Sequence, residues 1–285
     1  MSMMCRQLRV SRSGFYTWRK RPEAKRIRQD RKLVVEIRAV HEENRRVYGS
    51  PRIHAELRTR GYCIGHNRVA RLMRQNGIQA RRRRRFRRTT DSKHRLPVAP
   101  NVLARDFVCD RPNRKWAGDI TYLRTKEGWL YLAVLLDLYS RHVVGWAASS
   151  RIDGKLTLGA LKMALAARAP VAGLLHHSDR GKQYACEDYR GILRRRGIQC
   201  SMSRKGDCWD NAVVESFIGT LKTELAHHVS WRNRTEAVSD VFEYLEVFYN
   251  RKRRHSALGF LSPAEYEKKT WEEDDSPKQA VYKIG

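Results

Sequence analysis

Three β-like runs follow one another between residues 117 and 148 with only short turns between them, and beyond them the apolar pattern alternates between helix and strand. The runs 117–123, 129–136 and 142–148 are rich in β-branched, aromatic and leucine side chains, which suit a pleated, half-buried surface. Connections that short make neighbouring strands antiparallel. A helical run at 157–168, a strand at 173–177, a helix at 186–196, a strand at 199–202 and a helix around Glu215 then read as crossovers onto the same sheet. The order predicts an α/β domain.

Three carboxylates stand at telling places in that pattern. Asp119 interrupts the first run, in Trp116-Ala117-Gly118-Asp119-Ile120-Thr121-Tyr122, where a charge needs compensation if the strand is buried. Asp179 follows the fourth strand in His176-His177-Ser178-Asp179-Arg180-Gly181, and thirty-five residues separate it from Glu215. Glu215 shares its helix with Val214, Phe217, Ile218, Leu221 and Leu225, an apolar stripe at helical spacing. Carboxylates without Cys or His at ligand spacing suit a hard cation, Mg²⁺ with Mn²⁺ as a substitute. Two such cations about 3.5–4 Å apart activate the attacking oxygen and stabilise the leaving one in phosphoryl transfer, so a phosphodiester is the expected substrate. Lys222, nearly two turns beyond Glu215, shares its face and is placed to hold a phosphate. Asp137 is the rival carboxylate; its place before Tyr139-Ser140-Arg141 suits a turn. Ser203, Ser216 and the histidines assemble no Asp-His-Ser pattern, which leaves covalent catalysis without support.

Charge narrows the partner. A formal net charge of +29 costs self-repulsion unless a polyanion offsets it, and nucleic acid is that polyanion. Residues 1–100 hold 29 Lys and Arg against 7 Asp and Glu, so the first third is the electrostatic anchor. The six cysteines form no CxxC pair and follow no secretory signal, which implies reduced thiols and a cytoplasmic, nucleoid-associated protein. The longest uninterrupted apolar stretch, 129–136, is too short to span a bilayer. The pairs His176-His177 and His227-His228 lack the spacing of zinc ligands.

Residues 50–79 read as a helix-turn-helix. Ser50 as N-cap and Pro51 open a helix with Ile53 and Leu57 inward, and Gly61 closes it. Asn67 opens a second helix with Val69, Leu72 and Met73 inward, Gly77 as its stop, and Arg68, Arg71, Arg74 and Gln75 outward for a DNA groove. A preceding helix near 30–43 completes a three-helix core. Ser11-Arg12-Ser13-Gly14-Phe15-Tyr16-Thr17-Trp18 reads either as a DNA-facing turn or, with more weight, as packing for its aromatics. Seven arginines in 81–88, Arg82, Arg84 and Arg87 among them, form a DNA-contacting arm, and 81–108 reads as the linker. Past the core, Val238, Val241, Phe242, Leu245, Phe248 and Tyr249 form a helical stripe expected to dock on the sheet. The segment from Asn250 to His255 then reads as a basic loop that includes Arg251 and Arg254.

The blocks WAGDITYL, HSDRGKQY and SRKGDCWDNAVVESFIGTLKTEL resemble those of the retroviral-integrase-like D,D(35)E transposases, and most closely the OrfB proteins of the insertion-sequence-three family. The likeness extends to FYNRKRRHSALGFLSPAEY and back to SRSGFYTW, nearly the whole chain. It implies an RNase H-like catalytic core, which the element order also matches, behind a small all-α helix-turn-helix domain. By motif, Asp119, Asp179 and Glu215 take the metal-ligand places, and Lys222 takes that of the base touching transposon-end DNA. Arg204 and Lys205 in the third block are counted with the DNA contacts. Two positions depart from the family pattern: Asp207 stands in place of Asn, and Lys182 in place of a small polar residue.

The implied activity is metal-dependent cleavage and strand transfer at the ends of a bacterial insertion sequence, by a homo-oligomer on inverted repeats and target DNA. The implied organisation is a DNA-binding region at 1–80, an arm at 81–108, the core at 109–228, a helical extension at 229–270 and a tail at 271–285. Two alternatives stand beside it. One is a regulator or inhibitor that needs fusion to an upstream OrfA, whose long heptad region this chain lacks; the other is a nuclease without strand transfer.

Overall fold

The computed structural model describes residues 1–81, 97–205 and 207–275, so Arg82, Arg84 and Arg87 of the expected arm lie outside the described residues. The chain divides into two units, Met1–Ala80 and Arg81–Gly285.

The first unit is helical: α1 (Ser2–Gln7), α2 (Arg12–Lys20), α3 (Lys25–Glu43), α4 (Ser50–Thr59) and α5 (His66–Gln75). Leu33, Ile37 and Val40 of α3 are buried, as are Ile53 and Leu57 of α4 and Val69, Leu72 and Met73 of α5. Spacings of three and four place each set on one helical face. Gly61 and Gly77 have φ of 86° and 66°, the left-handed geometry that ends helices cheaply at glycine. Helix starts differ from expectation. Helix α3 begins at Lys25 rather than near 30, because residues 25–29 are good helix formers. Gly49 caps α4, while the Ser50 hydroxyl lies 3.2 Å from His66 Nε2. Gly65 caps α5, one residue ahead of the expected Asn67 start. Residues 12–20 are helix rather than turn, with Ser11 as cap accepting from Gly14 N at 3.0 Å. The packing expected of their aromatics is not met, since Tyr16 and Trp18 are exposed.

The second unit is built on one sheet of β1 (Lys115–Thr125), β2 (Gly128–Asp137), β3 (Val143–Ser149), β4 (Leu175–Ser178) and β5 (Gln199–Met202), in the order β3-β2-β1-β4-β5. The first three strands form an antiparallel meander. Strand β4 joins β1 in parallel, and β5 joins β4 in parallel. The helices are α6 (Gly154–Arg168), α7 (Lys182–Ala185), α8 (Glu187–Arg195), α9 (Ala212–Glu224), α10 (Arg234–Phe242) and α11 (Pro263–Asp275). This is the RNase H-like arrangement expected from the element order. Every residue from Leu132 to Leu136 is buried, as a central strand covered on both faces requires.

Trp116, Leu135 and Val144 of the sheet pack with Leu156, Leu161 and Ala164 of α6 and with Tyr189 and Leu193 of α8. Gly145 lets α6 approach β3 at backbone distance: a Cβ there would lie 2.3 Å from the Ala160 carbonyl oxygen and 2.8 Å from Ala164. Gly145→Ala is therefore expected to lower stability by about 1–3 kcal/mol through overpacking, read as a lower urea midpoint at unchanged slope.

Two other expectations are corrected. The later part of the 81–108 segment is a strap fastened to the core: Leu103 is buried, and the Val102 and Leu103 amides donate to Ser201 Oγ at 3.0 and 3.1 Å. Beyond α10 the chain runs on as one π-helical stretch, Glu243–Tyr249. Phe242, at the edge of the inward stripe, is exposed, and Tyr244, three residues beyond Val241, is buried in its stead.

Candidate active site

The sheet register fixes two of the three acids. Gly118 of β1 and Ser178 of β4 are the last paired residues of the parallel ladder, so Asp119, still within β1, and Asp179, just past the end of β4, stand side by side at the same level. Asn211, just ahead of α9, donates its amide to the Gly118 carbonyl at 3.2 Å and thereby ties the start of that helix to β1. Glu215 lies in the first turn of α9, where the helix dipole favours a negative charge.

Electrostatics connects the three. Burial pushes the Asp119 carboxyl well above the usual carboxylate range, the charges of Asp179 and Glu215 push it further, and Lys222 opposes them. Two local contacts hold the aspartates: Asp119 Oδ1 accepts from Ile120 N at 2.7 Å, and Asp179 Oδ1 accepts from Gly181 N at 2.9 Å. Among the described residues, no three acidic, His or Cys side chains are gathered closely enough to hold a metal ion as they stand. Carboxylates with no cation between them gain nothing by converging. The donor set, three carboxylates of which one is held above its usual range by burial and by its neighbours, nevertheless suits a hard divalent cation.

Lys222 Nζ sits 4.5 Å from the Tyr122 ring centroid. Burial lowers its pKa while the charge of Asp119 works the other way. Tyr122 as its platform was not foreseen, because a cross-element ring contact leaves no local sequence signal.

Asp137 is fully buried and acts as a turn anchor: it accepts from Asn113 N at 2.6 Å, Tyr139 N at 2.8 Å and Trp116 Nε1 at 3.2 Å. Several expected DNA contacts prove to be committed within the protein. Arg68 and Arg71 fork around Asp30, at 2.7 Å each, which leaves Arg74 as the exposed arginine of that trio. Arg204 is bound to Asp210 and Asp207, and Arg105 joins both acids. Asp210 is held well below the usual carboxylate range, chiefly by the Arg204 side chain. Asp207 is thus an ion-pair partner and the cap of the turn before α9, accepting from Trp209 N at 3.1 Å. Arg254 is buried and donates to the Phe260 carbonyl, whereas Arg251, Lys182 and Lys205 are exposed.

The paired histidines are structural. His176 meets the Tyr189 hydroxyl at 2.9 Å, and His177 bridges Ser201 and Ser203 at 2.8 and 3.1 Å. Burial depresses His176 to about 3 and His177 and His142 to about 4. Each folded-state value lies below the unfolded one, so the neutral rings contribute stability above pH 6.5 that is lost as pH falls toward these values. At pH 5 the loss is expected to reach up to about 2 kcal/mol per histidine, seen as a falling urea midpoint between pH 7 and pH 5.

Among the described residues, no helix is long and apolar enough to cross a membrane. Family models match the chain as an integrase core domain over residues 110–208, as an HTH-like domain over residues 28–86, and again as an integrase core domain over residues 196–263. The insertion element IS600 uncharacterized 31 kDa protein of Shigella sonnei is 47% identical over 266 residues, spanning 93% of this chain and 98% of its own length. Transposase InsF for insertion sequence IS3A of Escherichia coli strain K12 is 46% identical over 268 residues, 93% of each chain. Among solved structures, the HTLV-2 integrase catalytic core domain in complex with magnesium (trimeric form) aligns with a TM-score of 0.43 at 16% identity, over 55% of this chain and 98% of that one.

Proposed function

The chain belongs to the IS3 family of insertion-sequence transposases, and we propose that Asp119, Asp179 and Glu215 form the centre at which it cuts and joins DNA. The observation that carries this assignment is the placement of Asp119 and Asp179 side by side, each one residue past the last paired position of the β1–β4 ladder, within charge reach of Glu215. In the first step a water oxygen attacks the phosphodiester at the element's 3′ end, and the bond to the leaving oxygen breaks to free a 3′-hydroxyl. In the second, that hydroxyl attacks a phosphodiester of the target, so one bond forms as one breaks.

The three carboxylates would hold divalent cations, Mg²⁺ or Mn²⁺ in a two-metal site, which supply Lewis-acid stabilisation of the attacking and leaving oxygens. The protein's own contribution is position and charge. Asp119 and Asp179 are fixed by the sheet, Glu215 is carried by α9, and Lys222 offers its ammonium to a phosphate beside the scissile bond.

The first unit, residues 1–80, is assigned to duplex binding through its helix-turn-helix, with Arg74 outward and the arginine-rich segment beyond it as an arm. Residues 109–228 carry the chemistry and 229–270 brace it. Arg251 and Lys205 are the exposed basic residues of the second unit left from the expected DNA contacts. Assembly as a homo-oligomer on the inverted repeats, with an OrfA partner or fusion, belongs to the same proposal. A regulator that has lost the chemistry finds no support in relatives that include transposases.

The test is direct. Full-length protein with labelled duplex carrying the element's inverted repeats should nick the 3′ ends in Mg²⁺ and join them to a second duplex, and chelation by EDTA should stop both steps. Cleavage that persisted in EDTA would remove the carboxylate assignment, and cleavage without joining would leave a nuclease.

A further inference from the structure

Lys222 belongs to a second feature as well. It lines an open cleft of about 640 Å³ whose other walls include Tyr122, Arg124, Lys126 and Trp129, a volume within the range of about 300–1,000 Å³ typical of ligand sites. No acidic residue is among the described residues that line it. Trp129 is 45% exposed, a poor use of an indole unless something covers it. Its ring meets Tyr122 edge to face at 5.1 Å and 84°, and Lys222 Nζ stands over that same tyrosine. Arg124 and Lys126 are exposed.

The cleft thus pairs an open aromatic surface with three cations, the combination that binds single-stranded nucleic acid by stacking bases and tracking phosphates. Duplex bases are already stacked and show only their edges, so an indole in a concave cleft can take only an unpaired base. We propose that this cleft holds an unpaired nucleotide of the DNA strand at the active site, its base stacked on Trp129 and its phosphate beside Lys222, Arg124 and Lys126. The proposal rests on the reading of Asp119, Asp179 and Glu215 as a DNA-processing centre, because the cleft residues Tyr122 and Lys222 lie on β1 and α9, the elements that carry Asp119 and Glu215. Stacking tolerates any base, so the cleft would sense strand separation rather than sequence.

The experiment compares two duplexes carrying the element's end, one blunt and one with a short single-stranded extension containing 2-aminopurine, bound by the full-length protein. The wild-type protein should bind the extended end about fivefold or more tightly than the blunt one, with quenching of the 2-aminopurine. Trp129→Ala should abolish both the preference and the quenching at unchanged blunt-end affinity. Trp129→Phe should restore most of both, and Arg124→Glu should weaken the extended end selectively. Equal wild-type affinity for the two duplexes, or a preference that survives Trp129→Ala, would overturn the cleft assignment and leave the DNA reading intact. Binding of neither duplex would overturn both. The alternative, in which Trp129 merely packs on Tyr122 across the hairpin, gives a change in melting temperature with no change in preference.

Discussion

Asp119→Asn, Asp179→Asn and Glu215→Gln each reduce strand cleavage by about a thousandfold or more, because loss of one ligand withdraws several kcal/mol of metal-borne transition-state stabilisation. Each change keeps the side chain's shape, so duplex affinity should stay within a few fold of wild type. Asp119→Asn has a second signature. Burial and two neighbouring carboxylates raise the folded-state pKa of Asp119, so its ionisation costs stability as pH rises from the unfolded value through the folded one. The neutral amide removes that cost, and in EDTA at neutral pH this variant should melt higher than wild type while being inactive. A gain in stability coupled to a loss of chemistry distinguishes a functional acid from a structural one. Asp137→Asn should leave cleavage near wild type, since Asp137 is spent on three close hydrogen bonds at its turn, although burial raises its carboxyl as well. Near-wild-type cleavage by any of the three variants would strike that residue from the centre.

What the sequence revealed and what it hid divide along a physical line. Strand identity was legible because runs of β-branched, aromatic and leucine side chains are a local signal, and the five strands fall within a few residues of their expected ends. The placement of Asp119 beside Asp179 followed from the RNase H-like geometry that the element order matches. Individual basic residues were not legible. Arg68 and Arg71 are claimed by Asp30, far upstream in the chain, and Arg204 by Asp210. A run of charges reads as a solvated face whether or not a distant carboxylate captures part of it. Phe242 was misjudged for a different reason: at helical spacing it falls on the edge of the stripe whose centre is Val241, Tyr244 and Phe248, and apolar character alone does not separate edge from centre.

Arg253 is the sharpest case of a hidden role, and it supports an equally large expectation. It lies in what reads as an exposed basic loop, yet it is buried, with Nε 2.7 Å from Glu224 Oε2 and Nη2 2.6 Å from Oε1. The Tyr244 hydroxyl donates to the same carboxylate at 2.8 Å. Glu224 is the last residue of α9, so this bidentate pair pins the C-terminal extension to the helix that carries Glu215 and Lys222. Removing one partner strands the other charge away from water, and Arg253→Ala or Glu224→Ala should each cost about 3–5 kcal/mol, a large part of a typical domain's stability of about 5–15 kcal/mol. Arg253→Lys should rescue little, because a point charge cannot reproduce the planar fork. Replacing both partners by apolar groups of similar size, as in Arg253→Met with Glu224→Leu, should recover more than half of either single loss. Urea unfolding of the two single variants and the double variant measures this coupling. Single losses that simply add in the double variant would show that the pair contributes no mutual stabilisation, and α9 would then owe its placement to the packing of Val214, Phe217, Ile218 and Leu221 and to the Asn211 tie to β1.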